Sequence, residues 1–144
     1  MKQRSASVTM IVLTVLWMWS FAFAADSLER RLLDVGKGAM DCGRTHQGEK
    51  DHRAVVQCVE KQFRDGQPFR VRFDDACIDT ICSWGIIRGE AGGAIEMIGF
   101  DPKACDPAND TDVWCGTKSV PCEQPKLIVK GDKLKLSCGQ DYIF

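Results

Sequence analysis

Cysteine is the residue with the most chemistry to offer in this chain. The eight are Cys42, Cys58, Cys77, Cys82, Cys105, Cys115, Cys122 and Cys138. In an exported protein an even count reads as a disulfide framework, here about four bridges. Sequence does not choose among the many possible pairings. Loop closure is cheapest between near neighbours, which favours Cys42–Cys58, Cys77–Cys82, Cys105–Cys115 and Cys122–Cys138.

Cys77 and Cys82 are the most compact pair. A redox role calls for two intervening residues, so that a helix N-terminus lowers one thiol pKa. Four intervene here, so a structural staple is the expectation, with a small ring presenting Asp79 and Thr80 as the binding alternative. Cys42, His46, His52 and Cys58 match a zinc ligand set in residue type, but their spacing fits no common finger, and oxidation of Cys42 and Cys58 would abolish the site. The expected alternative is two exposed histidines beside a disulfide.

Asp106, Asn109, Asp110 and Asp112 lie between Cys105 and Cys115. Clustered oxygens can hold calcium, yet the EF-hand order is missing: Ala108 stands where an acid is needed. A solvated acidic loop is expected instead. Asn109-Asp110-Thr111 is formally a glycosylation acceptor. Asp74, Asp75, Asp79, Glu90 and Glu96 supply the carboxylates from which a hydrolytic pair could be drawn. Arg64, Arg70, Arg72 and Arg88, with Lys126, Lys130, Lys133 and Lys135, offer charge to an anionic partner. The plainer reading is a wet sheet face with cross-strand pairs such as Arg72 with Glu96. The sequence contains no Gly-x-Ser-x-Gly elbow, no Ser-x-x-Lys pair and no phosphate-binding glycine run. No metal, cofactor or nucleic-acid partner is therefore expected.

These residues follow an N-terminus that reads as an export leader. Lys2 and Arg4 precede a mostly apolar, uncharged run from Val8 to Phe23, and Ala22-Phe23-Ala24 supplies the small residues of a cleavage site. Residues 1–24 are expected to be a signal peptide and residues 25–144 a single disulfide-rich domain. No later stretch is long enough to span a bilayer. The expected location is the periplasm or the medium. Without Lys2 and Arg4, 17 basic residues face 20 acidic ones, a weak net charge of about −3 that implies neither nucleic acid nor a membrane surface.

Two helices are predicted first. Asp26 with Glu29 resembles a capping box, and Leu28, Leu32, Leu33 and Val35 form its apolar side. Gly36 and Gly38 stop that helix, and a polar, cysteine-bearing loop follows. The second helix, from about Glu49 to Asp65, carries Val55, Val56, Cys58, Val59 and Phe63 at helical spacing. From Pro68 the period becomes two: Phe69, Val71 and Phe73 alternate with Arg70, Arg72 and Asp74. Ser83 to Arg88 and Ala94 to Phe100 are the next strands. Ile95 and Met97 share one face of the latter, and Glu96, Ile98 and Phe100 the other. Asp101 to Gln124 reads as a long loop. Leu127–Val129 and Leu134–Leu136 flank a Gly131-Asp132 turn. The fold class expected is α+β: two N-terminal helices, then an antiparallel meander of four or five strands stapled by about four disulfides. The second helix should cover Phe69, Val71 and Phe73.

Cys58 through Gly66-Gln67-Pro68-Phe69, then Ile78-Asp79-Thr80 and Gly85, ahead of a hairpin ending Phe100-Asp101, resembles a group of small exported bacterial proteins of no established function. The resemblance spans about half the mature chain and implies a single exported α+β domain. It carries over no catalytic residue. Cys77 and Cys82 depart from the pattern as an added staple.

The function expected is non-enzymatic binding of a protein or envelope component. Rigid, disulfide-held loops lose less entropy on binding. Asp101 to Gln124 is the expected contact surface, with Trp114 as aromatic anchor beside Asp110 and Asp112. A secreted, carboxylate-based hydrolase of unrecognised type is the alternative. Carboxylates with strongly shifted pKa values in one cleft would favour it.

Overall fold

The computed structural model describes residues 26–78, 81–104 and 115–144, with the side chains of 75–78 outside that description. The expected leader, residues 1–24, therefore lies outside the described residues, as do Asp79 and Thr80 and the stretch 105–114.

Asp26 opens helix α1 (Ser27–Val35) by accepting the Glu29 amide on its side chain at 2.9 Å. This satisfies one of the amide donors that a helix start leaves unpaired. Strand β1 (Met40–His46) follows, then helix α2 (His52–Arg64) and strand β2 (Phe69–Ile78). Strands β3 (Ile81–Arg88) and β4 (Ile95–Phe100), a short 3-10 turn at Pro102–Ala104, and strand β5 (Thr117–Cys122) complete the first sheet. Strands β6 (Lys126–Lys130), β7 (Lys133–Ser137) and β8 (Asp141–Ile143) form the second.

The expected two helices followed by one meander is corrected in three respects. First, β1 separates the helices and pairs parallel with β2, so β1–α2–β2 is a crossover unit rather than part of a meander. Second, the described residues hold eight strands in two sheets, ordered β1-β2-β3-β4-β5 and β6-β7-β8. Third, β5 lies inside the stretch expected to be loop. The reason is common to all three: β1 and β5 are polar segments without clean alternation, recruited by strands that neighbour them in space. Beyond β1, helix-then-antiparallel order holds.

The five-stranded sheet is the middle layer. On one side Val55, Val56 and Val59 of α2 pack on Phe69, Val71 and Phe73, as expected. The small sheet shares that side, adding Leu134, Leu136, Tyr142 and Phe144 to Trp84 and Met97. On the other side α1 lays Leu28 and Leu32 on Ile87, Ile98 and Phe100. Leu33 and Val35, expected on the buried stripe of α1, are 45% and 40% exposed, because the helix touches the sheet along a narrower line. A register shift between Asp41 and Arg44 lets Cys42 and Thr45 both turn toward α2, which an unbroken strand would forbid.

Helix α2 ends in a Schellman motif. The Gln67 amide donates to the Gln62 carbonyl at 2.9 Å and the Gly66 amide to the Phe63 carbonyl at 3.2 Å. Gly66 adopts the left-handed φ of 66° this motif needs. Gly131, at φ 67°, turns β6 into β7 at the expected two-residue hairpin.

The expected set of about four disulfides is also corrected. Two complete bridges stand among the described residues, Cys42–Cys58 and Cys122–Cys138, with Cα separations of 5.6 and 4.7 Å. Both distances suit the bond. Helix α2 crossing β1 brings the first pair together, and the small sheet folding back on β5 brings the second. Cys82 and Cys115 are disulfide-bonded as well. The expected pairs Cys77–Cys82 and Cys105–Cys115 each need a side chain outside the described residues.

Candidate functional site

Alternation in β2 aims Arg70, Arg72 and Asp74 away from the α2 core, toward α1. A wet face was expected there, but α1 covers it. Arg72 has only 3% of its surface exposed. It donates to Asp26 at 2.6 Å and to Asp74 at 2.9 Å, with Glu29 at 3.8 Å. Asp74 also accepts from Ser83 at 2.8 Å and pairs with Arg44. Burial alone would raise the Asp74 carboxyl, but hydrogen bonds from Arg72, Ser83 and Arg44 outweigh it and hold the group below its ordinary value. Asp26 behaves likewise: burial opposes ionisation, and the Arg72 hydrogen bond and the Glu29 amide prevail. Arg70, two residues before Arg72, donates to the Gly36 carbonyl at the far end of α1 at 3.1 Å and to Asp41 at 2.9 Å. Two arginines on one strand thus grip both ends of one helix. Each complements the partial charge there, Arg72 through an acid at the N-terminus and Arg70 directly at the C-terminus.

The expected pair of Arg72 with Glu96 is not formed. Glu96 lies 3.4 Å from Arg31 of α1 and accepts from Ser119. Asp74 and Glu96 therefore belong to separate ion networks, each carboxylate held by cations. That arrangement keeps Asp74 ionised, the opposite of the raised pKa a general acid requires. Asp75 and Asp79 lie outside the described side chains, and Glu90 is exposed.

Arg88 sits on the opposite, α2 side. It donates to the Phe63 carbonyl and to the Gly93 carbonyl, each at 3.2 Å, and stacks 5.2 Å over the Phe63 ring. Burial lowers its pKa. Its role is to finish the C-terminus of α2. Arg64 is solvent-exposed beside Asp65. The four arginines thus do not gather as one anion site.

His52, expected to be exposed, is buried. Its Nε2 lies 2.7 Å from the Asp132 carbonyl and its Nδ1 3.4 Å from the Thr45 hydroxyl. It pins the β6–β7 turn to the start of α2. With Cys42 and Cys58 joined to each other, the zinc set has lost both thiolates. No metal-binding group of acids, histidines and cysteines occurs among the described residues. The calcium candidates Asp106, Asn109, Asp110 and Asp112, and the anchor Trp114, lie outside the described residues.

The lysines of the last hairpin, named above as charge for an anionic partner, share one surface of the small sheet. Leu127, Val129, Leu134, Leu136 and Tyr142 turn inward, so Lys126, Ile128 and Lys130 of β6, Lys133 and Lys135 of β7, and Asp141 and Ile143 of β8 turn outward. The register aligns Ile128 with Lys135 and Lys135 with Ile143. Ile128 and Ile143 are 46% and 55% exposed. With Lys130, Lys133 and Lys135 they line a groove of 230 Å³. Lys135 pairs with Asp141 at 2.6 Å, and among the described residues no acid pairs with Lys126, Lys130 or Lys133. The signal was present in the alternation of both segments, where the outward neighbours of the inward residues are lysines, Ile128 and Ser137.

No helix among the described residues is long and apolar enough to cross a membrane. No family model, curated protein or solved structure matches this chain.

Proposed function

We propose that this protein is an exported, non-enzymatic, disulfide-stabilised domain that binds an envelope component through the outer face of its three-stranded sheet. One observation carries the reading: a chain of weakly negative net charge places Lys130, Lys133 and Lys135 around two half-exposed isoleucines, with Lys126 on the same small face. Exposed isoleucine flanked by unpaired cations is a surface that gains from being covered by something anionic with an apolar part. The two complete disulfides support an oxidising compartment, because such bonds are rare where thiols are kept reduced. The leader at residues 1–24 supports export, to the periplasm or the medium. The disulfides also serve binding directly, since Cys122–Cys138 ties the small sheet to β5 and limits the freedom lost on docking.

The test is fractionation of cells expressing the full chain, compared with Lys133→Glu/Lys135→Glu. The wild-type protein should be recovered outside the cytoplasm with its cysteines oxidised and should sediment with the envelope. The variant should be exported equally but released into the soluble fraction. Recovery of the wild type in the cytoplasm with alkylatable thiols, or unchanged sedimentation of the variant, would overturn the reading.

A further inference from the structure

We infer that the component bound by the outer sheet face is an anionic lipid surface, with Ile128 and Ile143 entering the headgroup–acyl boundary and the lysines resting on phosphates. This rests on the reading of that face as the binding surface. The register sets the two isoleucines on the two outer strands with Lys135 between them, roughly 10 Å apart at ordinary strand spacing. The row Lys130 and Lys133 borders them on one side and Lys126 on the other. The pattern is two short aliphatic prongs among four long, flexible cations, with Asp141 the one acid on the face and tied to Lys135. Lysine suits this arrangement because its stem lies along apolar surface while its ammonium reaches out to the headgroup level.

A protein partner fits less well. Protein interfaces concentrate their energy in tryptophan, tyrosine and arginine and are depleted in lysine. This face has four lysines and neither arginine nor aromatic residue directed outward. A soluble polyanion would use the lysines but leave Ile128 and Ile143 idle. Protection of sheet edges also explains only part of the pattern. Lysines on the edge strand β6 discourage strand-to-strand aggregation. Lys133 and Lys135, however, stand on the middle strand β7, and exposed isoleucine on both edge strands is what edge protection would remove.

The experiment is co-sedimentation of the protein, purified after expression of the full chain, with vesicles of phosphatidylcholine alone or mixed with phosphatidylglycerol. Lys130→Gln/Lys133→Gln and Ile128→Ser/Ile143→Ser are compared with wild type, and a thermal melt of each confirms the fold. These four positions are exposed, so the melts should coincide. Binding should require the anionic lipid and fall as salt rises. Each lysine near such a surface contributes about fivefold, so the lysine pair should weaken binding roughly 25-fold. The isoleucine variant should lose binding to the mixed vesicles at physiological salt. Equal binding to neutral vesicles, or full binding by either variant, overturns the inference. If anionic vesicles fail while Lys133→Glu/Lys135→Glu still releases the protein from the envelope, the lipid is wrong and the face is right: an acidic protein or polymer is then the partner. If that variant also stays bound, both conclusions fall.

Discussion

Arg72 donates to Asp26 at 2.6 Å, and the oxygen it holds is the same one that accepts the Glu29 amide at 2.9 Å. One carboxylate oxygen therefore starts helix α1 and anchors it to strand β2. Replacing Arg72 by Met leaves Asp26 without its cation and Asp74 with Arg44 alone. Breaking a buried pair in this way costs about 3–5 kcal/mol. The loss should appear as a lower urea midpoint, with the amides of α1 exchanging first. Arg72→Lys should recover only part of it, because an ammonium cannot serve Asp26 and Asp74 with a fixed fork. An unchanged midpoint for Arg72→Met would show that the network contributes nothing net.

The same network sets an acid limit. Asp26 and Asp74 titrate below their ordinary value of 3.8 in the folded protein. The unfolded chain therefore binds their protons first as pH falls. The stabilisation is fully present above about pH 4 and is lost as pH drops through the lower, folded values. Asp74→Asn removes one of these titrations. It should lower stability at neutral pH and flatten its decline below about pH 4. An acid limb with the wild-type slope would assign the decline to other carboxyls.

Helix α1 approaches the sheet closely over Gly85. A Cβ there would lie 2.6 Å from Cδ2 of Leu32, which is itself buried. Gly85→Ala should cost about 1–3 kcal/mol by overpacking. Combining it with Leu32→Ala should leave the added cost of the alanine near zero, a coupling readable from a double-mutant cycle. Simple additivity of the two would mean that α1 shifts away freely.

Cys42–Cys58 joins β1 to α2 across a separation of 16 residues. Removing it as a double alanine variant should cost about 3 kcal/mol, most of it through the unfolded chain. The parallel β1–β2 pairing should show the greatest loss of amide protection. If β1 amides remain as protected as those of β3 and β4, the bridge is not what holds that edge.

How much of this was legible depended on how local each cause was. Val55, Val56 and Val59 announced α2, and Phe69, Val71 and Phe73 announced β2, because burial on one side imposes a period that neighbouring residues display. The Cys42–Cys58 and Cys122–Cys138 pairings followed from short loops. Strand β1 was invisible: Met-Asp-Cys-Gly-Arg-Thr-His has no alternation, and its partner strand lies beyond a whole helix. In the sequence Arg72 carries the signature of a wet position, because its neutralising acids, Asp26 and Asp74, face it only once α1 has folded over β2. His52 carries no sign of burial in the sequence for a similar reason, since the Asp132 carbonyl that holds it comes from the other sheet. The lysines of the last hairpin stand out in the sequence, but their company with Ile128 and Ile143 on one face depends on the register.

The stacking of Phe144 on Phe73, ring centroids 4.8 Å apart, has a bearing on the life of the chain before it is complete. Synthesis delivers β2 long before β7 and β8. Any product that stops short of Leu134 presents Phe73, Trp84 and Met97 as an uncovered, sticky plate. Such species are the ones chaperones hold and proteases clear. Truncated copies thus advertise their own incompleteness, and the mark vanishes only when the small sheet closes over it.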